Sequence, residues 1–176
     1  MTHPHILLTG QINAGKSTLI RRLLEQWKGT VSGFLTVTGE ASESGERPVY
    51  ILPAGGTGSF DYVNLVGTGG SAARGRPEVF DTLGKAYLDA PGELVVMDEL
   101  GIMEERAEAF QAAVLRRLDG RTPVLGVVKA KSHPFTDLVR AHPGVRLYTV
   151  TEENRDALYA GLLPLIRSWG RERRRQ

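Results

Sequence analysis

Gly10-Gln11-Ile12-Asn13-Ala14-Gly15-Lys16-Ser17, GQINAGKS, lies between an apolar run, HILLT from His5 to Thr9, and the run TLIRRLLEQW. The spacing is G-x-x-x-x-G-K-[ST], the phosphate-binding loop, and each residue type has a mechanical reason. Glycines let the backbone wrap closely around an anion, and the amides opening the following helix point at phosphate oxygens with a positive dipole end behind them. Lys16 is placed to reach the β- and γ-phosphates, and Ser17 to ligate Mg²⁺. Gly10, Gln11, Ile12, Asn13, Ala14 and Gly15 form the rest of the expected nucleotide cradle, and Thr18 adds a candidate α-phosphate contact.

The string gains weight from its flanks. Before it, HILLT reads as a strand. After it, Leu19, Ile20, Leu23, Leu24 and Trp27 fall on one face of a helix expected over 16–27, with Gly29 as the stop. Further on, VSGFLTV and PVYILPA read as two strands joined by a polar, turn-rich TGEASESGER, a connection suited to a hairpin. The Gly-rich stretch from Gly55 to Gly75 gives no helix. PEVFDTLGKAYLDA and ERAEAFQAAVLRRLDG read as helices, ELVVMDEL and TPVLGVVKA as strands, FTDLVRAH as a short helix and VRLYTV as a strand. A last helix is expected from Thr151, as N-cap, to about Trp169, kinked at Pro164. Strands alternating with helices imply an α/β fold, a mostly parallel sheet with helices on both faces. Ligands of such sheets sit beyond the carboxyl ends of the strands, where the loop 10–17 falls.

The second chemical element is Glu93 to Gly101, ELVVMDELG. Four apolar residues make a buried strand, and Asp98 and Glu99 emerge at its carboxyl end. Asp98 is in the place from which a phosphate-loop protein holds Mg²⁺, so Ser17 and Asp98 are the expected metal residues. Asp98-Glu99-Leu100-Gly101 also fits the D-x-x-G of a GTPase, but the guanine-reading N-K-x-D is missing: VLGVVKAKSH offers Lys129 and Lys131 without the Asn or the Asp. The other use of the pair makes Glu99 the residue that orients or deprotonates an attacking water, as in additional-strand ATPases, with Lys16 the second catalytic residue.

Composition excludes more than it selects. The chain has 176 residues, enough for one domain, read here as 1–170 with a basic tail at 171–176. It contains no cysteine, so disulfides and thiolate zinc sites are out, and no run of 18 apolar residues, so no membrane span is expected. The N-terminus lacks the pattern of a signal peptide, and a cytoplasmic monomer is the default. The net charge is +2, yet residues 167–176 alone carry +4. The basic excess is terminal rather than a patch on the folded body, so nucleic acid is not an expected partner.

The strings ILLTGQINAGKSTL, GFLT, LVVMDELGIMEERAEAF, PVLGVV and HPFTDLVRAHPGVRLYTVTEENRDAL, in this order from Ile6 to about Leu158, resemble the THEP-type nucleoside triphosphatases. The resemblance implies a RecA-like sheet and Mg²⁺-dependent hydrolysis of nucleoside triphosphates to diphosphate and phosphate, with broad base tolerance. It also implies phosphate and metal binding by Lys16 and Ser17, metal binding by Asp98 and water activation by Glu99. The residues alone leave two alternatives. One is a nucleotide or small-molecule kinase, whose acceptor pocket would have to come from Gly55 to Gly75; the other is a nucleotide-dependent switch module. Asn154-Arg155-Asp156 reads as a helix start or as a contact to base or phosphate, and Arg47 and Arg106 as candidate arginine fingers.

Overall fold

The structure, a computed structural model, describes residues 5–69 and 74–173. One sheet of eight strands runs through it in the order β5-β4-β3-β2-β6-β7-β1-β8. The strands are β1 (His5–Thr9), β2 (Val31–Thr38), β3 (Arg47–Pro53), β4 (Leu65–Gly69), β5 (Arg74–Gly75), β6 (Leu94–Leu100), β7 (Val124–Val128) and β8 (Val145–Thr149). From β2 to β8 every pairing is parallel, and β3, β4 and β5 extend the sheet antiparallel from β2.

The central strands are apolar on both faces because both are covered. Leu7, Val95, Met97, Val124 and Val128 point into one layer, and their sequence neighbours Ile6, Leu8, Leu94, Val96, Leu125 and Val127 into the other. The period of two is thus hidden in runs of continuous hydrophobicity, as expected of a parallel sheet covered on both sides. Helices α1 (Lys16–Leu24) and α6 (Arg155–Arg173) close one layer through Leu19, Ile20, Leu23, Leu162 and Ile166. The other layer is closed by α2 (Pro77–Val79), α3 (Lys85–Asp89), α4 (Glu108–Leu118) and α5 (Pro134–Ala141). A π-helical turn, Phe80–Gly84, joins α2 to α3. At Gly84 a Cβ would lie 2.8 Å from the ring of Phe110, which packs against Phe34 and Phe80 at centroid distances of 5.3 and 5.1 Å. The close approach of this segment to α4 requires the glycine.

Several expectations change here. The Gly-rich stretch, from which no helix was expected, contains two short strands, β4 and β5, which join the sheet through β3. Helix α1 ends at Leu24, and Trp27 is held in the core by the turn that follows. Helix α4 starts at Glu108, because Glu104 to Ala107 form a turn closed by Ala107 N–H on the Glu104 carbonyl at 3.0 Å. Helix α6 runs from Arg155, and the turn that leads into it is capped at Thr151 as expected: Thr151 and Asn154 bond each other reciprocally, Thr151 N–H to Asn154 Oδ1 at 2.8 Å and Asn154 N–H to Thr151 Oγ1 at 3.2 Å. The same helix continues through Pro164 to Arg173, past the stop expected at Trp169. Residues 174–176 of the expected tail lie outside the described residues. Among the described residues no helix is long and apolar enough to cross a membrane.

Candidate active site

The loop between β1 and α1 has the backbone that its glycines were expected to allow. Gly10 (φ 138°) and Gly15 (φ 96°) both lie at positive φ, as does Asn13 (φ 62°), a residue type that tolerates it. A Cβ on Gly10 would stand 2.4 Å from the Val150 carbonyl oxygen, so the loop can pass the end of β8 only with glycine there. Lys16 opens α1 and folds back over the loop. Its Nζ donates to the carbonyls of Gly10 at 3.0 Å and Gln11 at 2.5 Å, which leaves the side chain buried. Ala14 alone of the loop turns into the core, so its side chain belongs to packing and not to the cleft.

β7 lies between β1 and β6, so one strand separates the loop-bearing strand from the acid-bearing one. That is the arrangement the Asp-Glu pair suggested. Ser17 Oγ still reaches Asp98, donating to its Oδ1 at 3.2 Å across this gap. Asp98 is 5% exposed, and burial, helped by the charge of Glu99, pushes its carboxyl up to about 6. The Ser17 hydroxyl and the charges of Arg21 and Lys16 oppose the shift without cancelling it. A desolvated carboxylate so placed gains from a cation more than an exposed one would. Serine hydroxyl and carboxylate are hard oxygen donors suited to Mg²⁺, which takes few protein ligands and completes its shell with phosphate oxygens and water.

Glu99 follows Asp98 through a cis peptide bond and is partly exposed. Its N–H donates to Thr36 Oγ1 at 3.1 Å, and Lys129, just past the end of β7, places Nζ 3.3 Å from its carboxylate. Glu99, Lys129, Lys131 and Ile102 line one cleft of about 820 Å³ together with Arg155 and the residues Gly10 to Thr18 other than Ala14. The volume suits a small-molecule ligand such as a nucleotide. Arg47 and Arg106 are not among its lining residues, nor is any described residue of 55–75.

Lys129 and Glu104 are the residues that sequence reading left without a role. Lys129 was noted only as a failed guanine reader, although its place beyond a strand end next to β6 could have signalled contact with Glu99. Glu104 is 2% exposed and accepts the Gly101 N–H on Oε1 at 2.5 Å, closing the turn that follows the acidic pair. Burial raises its carboxyl to about 7, with hydrogen bonds from Gly101 and its own N–H opposing.

Folded Glu104 therefore keeps, between about 4.5 and about 7, a proton that the unfolded chain releases. The stability it confers is full below that window and falls as pH rises through it; Asp98 acts with the same sign between 3.8 and about 6. Glu104→Gln, neutral throughout, removes its share of the slope. The variant should gain in melting temperature relative to the parent on going from pH 5 to pH 8. Thermal unfolding at the two pH values measures this, and an unchanged difference would mean that ionised Glu104 is fully compensated.

The comparisons agree with this geometry. A family model described as NTPase matches residues 5–163. The nucleoside-triphosphatase THEP1 of Methanopyrus kandleri is 35% identical, over 97% of this chain and 99% of that one. The human cancer-related nucleoside-triphosphatase is 30% identical, over 93% and 97%. The crystal structure of THEP1 from Aquifex aeolicus shares the fold at a TM-score of 0.73, covering 92% of this chain and 98% of that one at 22% identity. The chain belongs to the NTPase family.

Proposed function

We propose that the protein is a Mg²⁺-dependent nucleoside triphosphatase that releases the γ-phosphate to water and tolerates any of the common bases. The observation that carries this reading is the placement of Glu99 beside Asp98, in the same cleft as the phosphate loop and on the far side of β7 from it. A phosphate loop alone serves kinases equally well. A carboxylate at the γ-phosphate end favours water as the nucleophile.

In this reading the amides of the loop and Lys16 hold the triphosphate, and Ser17 and Asp98 hold Mg²⁺. When bound, the ion supplies positive charge to the β- and γ-phosphate oxygens. Glu99 accepts a proton from water as the water oxygen bonds to the γ-phosphorus. The bond from that phosphorus to the β–γ bridging oxygen breaks, and its electron pair leaves with the nucleoside diphosphate. Lys16 offsets the charge that builds there. Lys129 orients the Glu99 carboxylate through their 3.3 Å contact. All these contacts go to groups that every nucleoside triphosphate shares.

Purified protein with Mg²⁺ and no acceptor should therefore release phosphate from ATP, GTP, CTP and UTP with kcat/KM values within about tenfold, a spread of only ~1.4 kcal/mol. Chelation of Mg²⁺ should abolish the release. Initial-rate assays on the four nucleotides check this, and activity confined to GTP would contradict the base-tolerant reading.

A further inference from the structure

The strand order gives the nucleotide cleft a direction. Glu99, near the end of β6, and Lys129, just after β7, lie on one side of the loop-bearing strand β1, and Arg155 follows β8 on the other. With the γ-phosphate at the Glu99 end, the nucleoside must extend toward Arg155. A hollow of about 260 Å³ adjoins the cleft there, lined by Gly15, Thr18, Leu19, Arg22, Arg155 and Asp156.

Its charged residues differ in how they are engaged. Arg22 bonds Asp156 at 2.9 Å and lies 4.1 Å over the ring of Tyr159. Arg155 is exposed and has no hydrogen-bond or ion-pair partner among the described residues. Its side chain lies over the loop, with Cδ and one terminal guanidinium nitrogen 3.3 Å from where a Cβ on Gly15 would be. The reciprocal Thr151–Asn154 turn fixes this placement by starting α6 at Arg155.

We infer that Arg155 is the nucleobase platform of the site, its planar guanidinium stacking on the face of the bound base. This rests on the reading that a nucleoside triphosphate occupies the cleft, and it deepens that reading by naming how bases are held without being told apart. Every base has a π-face, and a guanidinium over it does not depend on the donor and acceptor pattern of the base edge. Lysine cannot replace it, because an ammonium has the charge and not the plane.

The test is calorimetric binding of non-hydrolysable β,γ-imido analogues of ATP, GTP, CTP and UTP with Mg²⁺ to the parent protein, Arg155→Ala and Arg155→Lys. Stacking predicts that Arg155→Ala weakens binding on the order of tenfold, more for the purines than for the pyrimidines, and that Arg155→Lys fails to restore it. Equal losses on all four analogues, restored by Lys, would make Arg155 a phosphate contact and overturn the platform. Unchanged affinity in Arg155→Ala would overturn it too; either result leaves the hydrolase reading standing. Absence of binding by the parent protein would remove both.

Discussion

Glu99→Gln should bind ATP with Mg²⁺ within a few-fold of the parent protein while its turnover falls by roughly 10²-fold or more, the scale of a lost general base. The two effects separate because they come from different parts of the cleft. In the proposed mechanism affinity comes from the loop, from Lys16 and from the Ser17–Asp98 pair. Glu99 lies beyond these, held by the Thr36 hydroxyl through its N–H and by Lys129 through its carboxylate. Glutamine keeps the size and the backbone bond and loses only the ability to take a proton. Nucleotide affinity by calorimetry, measured beside phosphate release, checks the split. A variant with near-normal turnover would take Glu99 out of the chemistry.

Lys16→Ala should damage binding and turnover together, with kcat/KM down by roughly 10³-fold, since the charge acts on the bound phosphates and again on the charge developing at the leaving oxygen. There is also a structural component. Lys16 Nζ bonds the Gly10 and Gln11 carbonyls, so its removal loosens the loop that supplies the amides. Lys16→Met retains much of the buried stem and none of the charge, and should be impaired nearly as much if charge is the main contribution. Calorimetry and initial rates on both variants separate the two causes; a Met variant close to the parent protein would assign the role to packing.

What could be read in the sequence, and what could not, follows from the range of the forces involved. The loop from Gly10 to Ser17 was legible because positive φ, helix initiation and phosphate chemistry all act within eight neighbouring residues. Asp98 and Glu99 were legible for the same reason, and their adjacency anticipated that a strand would stand between β1 and β6. β4 and β5 were missed because Gly67, Gly69 and Gly75 carry no side-chain pattern; their strand character comes from pairing with β3 and with each other. Lys129 against Glu99 depends on the register of β6 on β7, where the pairing shifts between Asp98 and Leu100. Glu104 looked like one more surface acid in MEERAE, and only the turn back onto Gly101 buries it. Arg155 stood in a segment already named, but its place over Gly15 follows from α6 packing across α1, a long-range contact that the sequence does not show.

The central claim is that water, readied by Glu99, attacks the γ-phosphorus with no other acceptor required. Its most direct test is the acceptor-free assay run in ¹⁸O-labelled water, with mass analysis of both products. The account predicts steady phosphate release with one ¹⁸O in each inorganic phosphate and none in the nucleoside diphosphate. Label in the diphosphate, or release only after a metabolite acceptor is added, would contradict it.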